Sequence, residues 1–293
     1  NKMAAIQAHD TQIAGSGITT VFDALRVGTD ENATLTADEM AEMGEMIGRA
    51  VNEERVRADH YIHLRCEVSA ADVLAGFAGL AGNPLLKLVS LMDHAPGQRQ
   101  FADLGAYRTY YQKKLGLSDA AFESFSGERL AQSTEFADRH RRDIAEICRE
   151  RGIALASHDD ATIAHVDEAL ALGMSIAEFP TTLEAASASR VAGLHVLMGA
   201  PNIVRGGSHS GNVSAIELLR LGLLDILSSD YVPFSMLQAA FHLVDIGAAG
   251  LPEAIRLVTL NPAEAVGLAD RGAIAVGRRA DLVRVRNHPG KPP

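Results

Sequence analysis

Seven short apolar or β-branched runs recur near residues 18, 61, 87, 154, 175, 196 and 225, and each after the first is preceded by helical sequence. Most of them end in polar side chains. Strands that alternate with helices in this way pair in parallel, carry helices on the sheet faces and gather functional groups at their carboxyl ends. Residues 197–233 show one such unit in full. A buried strand over 195–198 leads to a glycine-rich polar segment at 205–212, Ser214-x-x-Glu217 opens a helix as a capping box, 223–227 forms the next strand, and Asp230 follows its end. Seven units fall one short of a (β/α)8 barrel, and a TIM-like barrel is the predicted fold.

The other units follow the same pattern. A helix over 1–15 leads into a first strand at 17–27, and a helix over 31–57 is opened by the capping box Thr36-x-x-Glu39. The strand at 59–68 alternates cleanly. Ile62, Leu64, Cys66 and Val68 point one way, and Tyr61, His63, Arg65 and Glu67 the other. A polar strand face in apolar sequence predicts a wet pocket. A helix near 72–81 and a strand over 84–94, closed by Asp93 and His94, come next. The longest excursion, 97–151, contains the charge-dense stretch 128–151, which reads as a solvated amphipathic helix. Tyr107, Tyr110, Tyr111, Lys113 and Lys114 lie on this excursion, first as half-buried residues of a surface helix and second as a lid or substrate-facing wall. Strands at 152–160 and 174–182 follow, and Thr181-x-x-Glu184 caps the helix after the second.

Charge and cysteine content narrow the function classes. A net charge of -10 over 293 residues argues against general binding to nucleic acid or to an anionic membrane surface. Cys66 and Cys148 support no disulfide framework, which fits a reducing cytoplasm. No apolar run approaches the roughly 20 residues of a membrane span.

The closing segment carries a family likeness. Asn261-Pro262-Ala263, Gly267-Leu268, Gly272-x-Ile274, Gly277 and Ala280-Asp281-Leu282-Val283 resemble the end of the metal-dependent amidohydrolase superfamily, where the chain leaves the barrel for a small β-sandwich built from both chain ends. Asp230 directly after a strand resembles that superfamily's eighth-strand aspartate. The segments 177–186, 197–212 and 228–233 are similar to its branch in carbon–phosphorus lyase phosphonate catabolism. The resemblance implies a barrel over 1–260, a returning segment over 261–293, and hydrolysis of α-D-ribose 1-methylphosphonate 5-triphosphate to the 5-phosphate and pyrophosphate. It also implies a first barrel strand bearing His-x-His ligands. No such strand precedes Gly17, so that part of the metal site is expected to lie outside this sequence.

Hydrolysis of a phosphoanhydride needs a cation, a nucleophilic water and a base. Asp230 is the candidate base and a metal ligand, with a strand or turn cap as the competing role. Glu67 resembles a third-strand carboxylate ligand of some relatives, or else forms a buried pair with Arg65. His158 fits the fifth-strand metal histidine, and Glu178, where many relatives carry histidine, ligates metal, orients a ligand or pairs with a barrel arginine. This oxygen-rich set suits a divalent ion, zinc first, with manganese or magnesium as alternatives. Asn202, Arg205, Ser208, His209, Ser210 and Asn212 are the phosphate-binding candidates, because glycines admit backbone N–H groups and Arg205 offers a fork; an ordinary Gly/Ser connection is the alternative. Lys87 lies too early in its strand to be a carboxylated lysine. The partner is a small phosphorylated ribose, and assembly into a homo-oligomer is left open. Rival functions are another amidohydrolase, such as a deaminase or cyclic amidase, and a metal-deficient binding subunit.

Overall fold

The computed structural model describes residues 1–30, 35–99, 104–208 and 212–288. Helix α1 (Lys2–Gly15) precedes β1 (Thr20–Val27), α2 (Ala37–Asn52), β2 (Asp59–Glu67), α3 (Val73–Ala81), β3 (Leu86–Met92), α4 (Leu104–Leu115) and α5 (Asp119–Arg151). Then come β4 (Ala154–His158), α6 (Ile163–Ala171), β5 (Ile176–Glu178), α7 (Leu183–Val191), β6 (His195–Gly199), α8 (Ala200–Arg205), α9 (Ala215–Arg220) and β7 (Ile226–Ser228). Three helices follow, α10 (Ser235–Asp245), α11 (Leu251–Arg256) and α12 (Leu260–Ala265). The seven strands pair in parallel in chain order, the curled sheet of a TIM-like barrel that the strand recurrence predicts.

Period-2 alternation divides each strand between two environments. On β2, Ile62, Leu64 and Cys66 are fully buried in the layer between the sheet and the helices, beside Phe77, Leu80 and Ile144. The opposite face begins with an apolar layer: Leu88, Ala156, Ile176, Leu197 and Ile226 from five strands pack with Phe22. Beyond it toward the strand carboxyl ends the same face turns polar, with Arg26, Arg65, Glu67, His158 and Glu178. The register carries this layering across strands, since Arg26 lies opposite Arg65, Arg65 opposite Ser90, and His158 opposite Glu178.

The capping box at Thr36 forms as its sequence predicts, with Glu39 returning a bond to the Thr36 N–H. The other two boxes do not. Ser214 stands at the start of α9 without a side-chain cap, and the Ala215 N–H is taken by Asn202 Oδ1 at 3.1 Å. At α7 the cap is Thr182, whose hydroxyl accepts from the Ala185 N–H, while Thr181 is turned to the Asp160 carbonyl.

Three further expectations change. Helix α5 starts well before residue 128, and one stripe of it, Arg129, Ser133, His140 and Arg141 included, is buried against the strand ends rather than solvated. Tyr107 and Tyr111 are fully buried in an aromatic cluster with Phe122, so neither is half-buried nor a lid; Tyr110 is exposed. Residues 266–288 run as turns and extended chain with no strand, so the described part of the returning segment does not form the expected β-sandwich strands. Arg271 anchors this segment by donating to Asp59 at 2.7 Å and Thr20 at 2.9 Å. No helix among the described residues is long and apolar enough to cross a membrane.

Candidate active site

The carboxyl ends of β1 to β7 converge on one polar mouth. Three residues just beyond strand ends, Asp159, Phe179 and Asp230, hold positive φ of 56°, 57° and 49°. A left-handed backbone costs a residue with a Cβ about 1 kcal/mol, and here it occurs three times around one opening. The chain thereby turns sharply off the sheet at these points.

Glu67, fully buried at the end of β2, is ringed by donors. It accepts from Arg26 at 3.0 Å, Ser69 at 2.8 Å and the His94 N–H at 3.0 Å, and its Oε2 lies 2.6 Å from His94 Nδ1. Burial pushes its carboxyl up, but the His94 ring and Arg26 outweigh burial and hold it well below the usual carboxylate range. Burial likewise pushes the His94 ring down, and Glu67 pulls it above its ordinary value. Gly28 (φ 95°) makes this packing fit: a Cβ there would stand 2.8 Å from the Glu67 carbonyl oxygen. The expected Arg65–Glu67 pair is not formed, because Glu67 is taken by Arg26 and His94.

Across the mouth, His158 Nδ1 lies 2.7 Å from Glu178 Oε2, and its Nε2 faces Arg65 Nη2 at 3.2 Å and Asp159 Oδ2 at 3.4 Å. Burial pushes the Glu178 carboxyl up, yet His158 and His63 bring it down to about 2. Glu178 is therefore an acceptor at neutral pH, so His158 donates to it through Nδ1–H, and Nε2 is the nitrogen left toward Arg65 and Asp159. His63 lies deeper, 2.8 Å from the Ser90 hydroxyl, and burial drives its ring down to about 4. The rings of His94 and His158 meet edge to face at 6.0 Å and join the two halves of the mouth.

Asp230 stands open to solvent above Gly199, 3.6 Å from where a Cβ of that glycine would be. Desolvation by the surrounding walls pushes its carboxyl up, against the opposing charge of Arg65. Arg205, the last residue of α8, is exposed; its guanidinium lies 5.9 Å from the Tyr231 ring, and its charge also reaches Asp230. Asn202 is engaged in capping α9, and Ser208 and Asn212 are half-buried. His209 and Ser210 lie outside the described residues. The structure thus brings His158 and Glu178 into contact and sets Asp230 within their electrostatic reach, while Glu67 belongs to the opposite half and is linked to them through His94.

Several residues of the mouth carry no clear sign in the sequence. Within ligand reach of one another are His94, His158 and Asp159 as one group and Asp30, Glu67 and His94 as a second, each with donor atoms within 4.8 Å. Helix α5 sends Arg141 to Asp93 at 2.8 Å, Ser133 to the same carboxylate at 2.9 Å, and Arg129 to Ser69 at 3.3 Å. The buried positions 129, 133, 137, 141, 144 and 148 do follow helical spacing, but two arginines within the stripe disguise it as a polar face.

Residues 3–291 match the profile of the Amidohydrolase family. The chain is 52% identical over 289 residues to α-D-ribose 1-methylphosphonate 5-triphosphate diphosphatase of Escherichia coli (strain K12), covering 97% of this chain and 76% of that protein. Among solved structures it resembles an uncharacterised metal-dependent hydrolase from Pyrococcus furiosus, with TM-score 0.62, 14% identity and coverage of 99% of this chain. A second, from Pyrococcus horikoshii OT3, gives TM-score 0.60, 11% identity and 98% coverage. At these identities the likeness concerns the fold, and the chain spans 60% of the length of each of these two structures.

Proposed function

The chain belongs to the amidohydrolase family, and from that premise we propose that it hydrolyses α-D-ribose 1-methylphosphonate 5-triphosphate, releasing pyrophosphate and leaving the 5-phosphate. The observation that carries this is the 52% identity to the Escherichia coli diphosphatase across 97% of the chain. The chemistry of the mouth agrees with it. His94, His158 and Asp159 in one group, and Asp30, Glu67 and His94 in a second, each hold their donor atoms within 4.8 Å, and mixed imidazole and carboxylate donors of this kind fit a divalent cation. Zinc suits the mixed nitrogen and oxygen donors best, with manganese or magnesium as alternatives. When bound, the cation polarises a phosphoryl oxygen and lowers the pKa of water.

The protein's own residues supply the rest. His158 presents Nε2 toward the mouth, with Glu67, His94, Asp159 and Asp230 as carboxylate and imidazole partners for the cation. Of the three roles its position allows, Glu178 takes that of orienting a ligand: it accepts from His158 Nδ1–H and fixes which nitrogen faces inward. Asp230, open to the mouth and with its carboxyl raised, takes the proton of the attacking water. Arg205, Ser208, His209, Ser210 and Asn212 bind the distal phosphates, and Asn202 holds α9 beneath them. The substrate is a small phosphorylated ribose met in the cytoplasm, with the hydrolase barrel assigned to residues 1–260 and 261–293 taken as a separate closing segment.

The test is pyrophosphate release from ribose 5-triphosphates with and without the 1-methylphosphonate group. Fast release that depends on the phosphonate supports the function; release from neither compound, in protein loaded with divalent metal, overturns it.

A further inference from the structure

Arginines crowd the carboxyl ends of the strands, and most are matched to carboxylates. Arg26 is paired with Glu67 at 3.0 Å, Arg141 with Asp93 at 2.8 Å, and Arg99 with Asp160. Arg65 is different. It rises from the inner face of β2, half-buried, one layer above His63, and its guanidinium meets His158 Nε2 at 3.2 Å. Among the described residues no carboxylate lies within 4.0 Å of it. A guanidinium carries five donors in a planar fork, so a single contact with a ring nitrogen leaves most of the donors without a match. Keeping a cation partly out of water in that state is costly, and the natural complement is an anion with several acceptor oxygens. Its position selects the anion further: the guanidinium stands against the His158 ring on the inner face of β2, and its charge reaches Glu178 and Asp230.

We propose that Arg65 is a catalytic residue that contacts the substrate directly, its fork donating to non-bridging oxygens at the α–β phosphoanhydride. The assignment rests on the triphosphate hydrolysis argued above. In the reaction the water oxygen forms a bond to one phosphorus of the bridge, and the bridging oxygen departs with the electron pair of the broken P–O bond. The water proton passes to the Asp230 carboxylate. Arg65 stabilises the charge that builds on the phosphoryl oxygens.

The test uses the full chain with Arg65→Ala and Arg65→Lys. The alanine variant should lose ~10³-fold in kcat/KM, mostly in kcat, and recover part of it with added guanidinium ion, while its metal content per chain and its circular dichroism match the wild type. The lysine variant, with charge but no fork, should fall between the two. Separately, calorimetric titration with inorganic tripolyphosphate should show affinity at least about tenfold weaker in Arg65→Ala than in wild type. A folded, metal-loaded alanine variant with near-normal kcat/KM and unchanged tripolyphosphate affinity overturns the proposal. Should that variant not fold, Arg65→Gln takes its place under the same criteria. If wild type releases no pyrophosphate, the hydrolysis itself fails, and the tripolyphosphate titration still decides Arg65: weaker binding in the variant supports the contact, and equal binding or none to wild type overturns it.

Discussion

His158 and Glu178 face each other across the register pair that joins β4 to β5, with Nδ1 of the ring 2.7 Å from a carboxylate oxygen. That contact sets the tautomer of His158 and turns Nε2 toward the mouth. Partners of this kind are worth ~10–100-fold in metal affinity. Glu178→Ala should therefore weaken divalent metal binding by about that factor, with Glu178→Gln intermediate because its amide oxygen still accepts. Metal titration of both variants checks this; unchanged affinity in the alanine variant would remove Glu178 from the support of His158.

Asp230→Asn keeps size and shape but cannot take a proton. Turnover should fall by ~10²–10⁴, while the melting temperature stays near that of wild type because Asp230 makes no buried pair. Steady-state rates on the metal-loaded variant decide the matter, and near-normal turnover would exclude Asp230 as the base.

At the opposite end of the sheet, His60 lies between Asp23 at 2.8 Å and Asp10 at 3.3 Å, with His9 also on Asp23 at 3.0 Å. Burial pushes His60 down, but the two carboxylates raise its pKa above the ordinary value. The stability it contributes is full below about pH 6.5 and is lost as pH rises through the raised folded value. Burial raises Asp10 and Asp23, and their hydrogen bonds more than reverse it, so both lie below the usual range. Their contribution is full above about pH 4 and is lost as pH falls through their lowered values. His60→Gln should cost about 3 kcal/mol near pH 6 and flatten the alkaline decline of Tm. Melting curves from pH 5 to 9 that keep the wild-type slope would exclude His60 as its origin.

Gly28→Ala combines two penalties, a φ of 95° and a Cβ placed 2.8 Å from the Glu67 carbonyl oxygen. Destabilisation should exceed about 1 kcal/mol, and the Glu67–His94 half of the mouth should be displaced with it. Urea unfolding provides the measurement; a loss of only a few tenths of a kcal/mol would mean that β1 and β2 separate there at little cost.

Much of this architecture follows from local pattern. The seven runs became seven strands in the expected order, and Glu67, His158, Glu178 and Asp230 all stand at or just past strand carboxyl ends, because where an apolar run stops is a property of the nearby chain. Period-2 alternation on β2 likewise sorted the apolar face from His63, Arg65 and Glu67 correctly. The phosphate segment differs from its sequence reading as a loop, since Arg205 closes a short helix and Asn202 accepts from the Ala215 N–H at the start of α9.

Partner choice is what sequence periodicity could not decide. Residues two apart on one strand share a face but lie ~6.5 Å apart, whereas adjacent strands approach to ~4.8 Å, so a charged side chain is met first by its lateral neighbours. The face that Arg65 and Glu67 share allows a pair between them as one of two roles for Glu67; in the fold Glu67 turns to Arg26 and His94, and Arg65 to His158. Helix α5 shows the same limit over a longer range. Arg129 and Arg141 read as solvated charge until the strand ends set Ser69 and Asp93 beneath them, because a buried cation is recognisable only together with the group that neutralises it. The sequence by itself determined the parallel barrel and the ring of candidate residues at its mouth. Only the tertiary structure decided which of them touch, since that depends on strand register and on side chains brought in from distant helices.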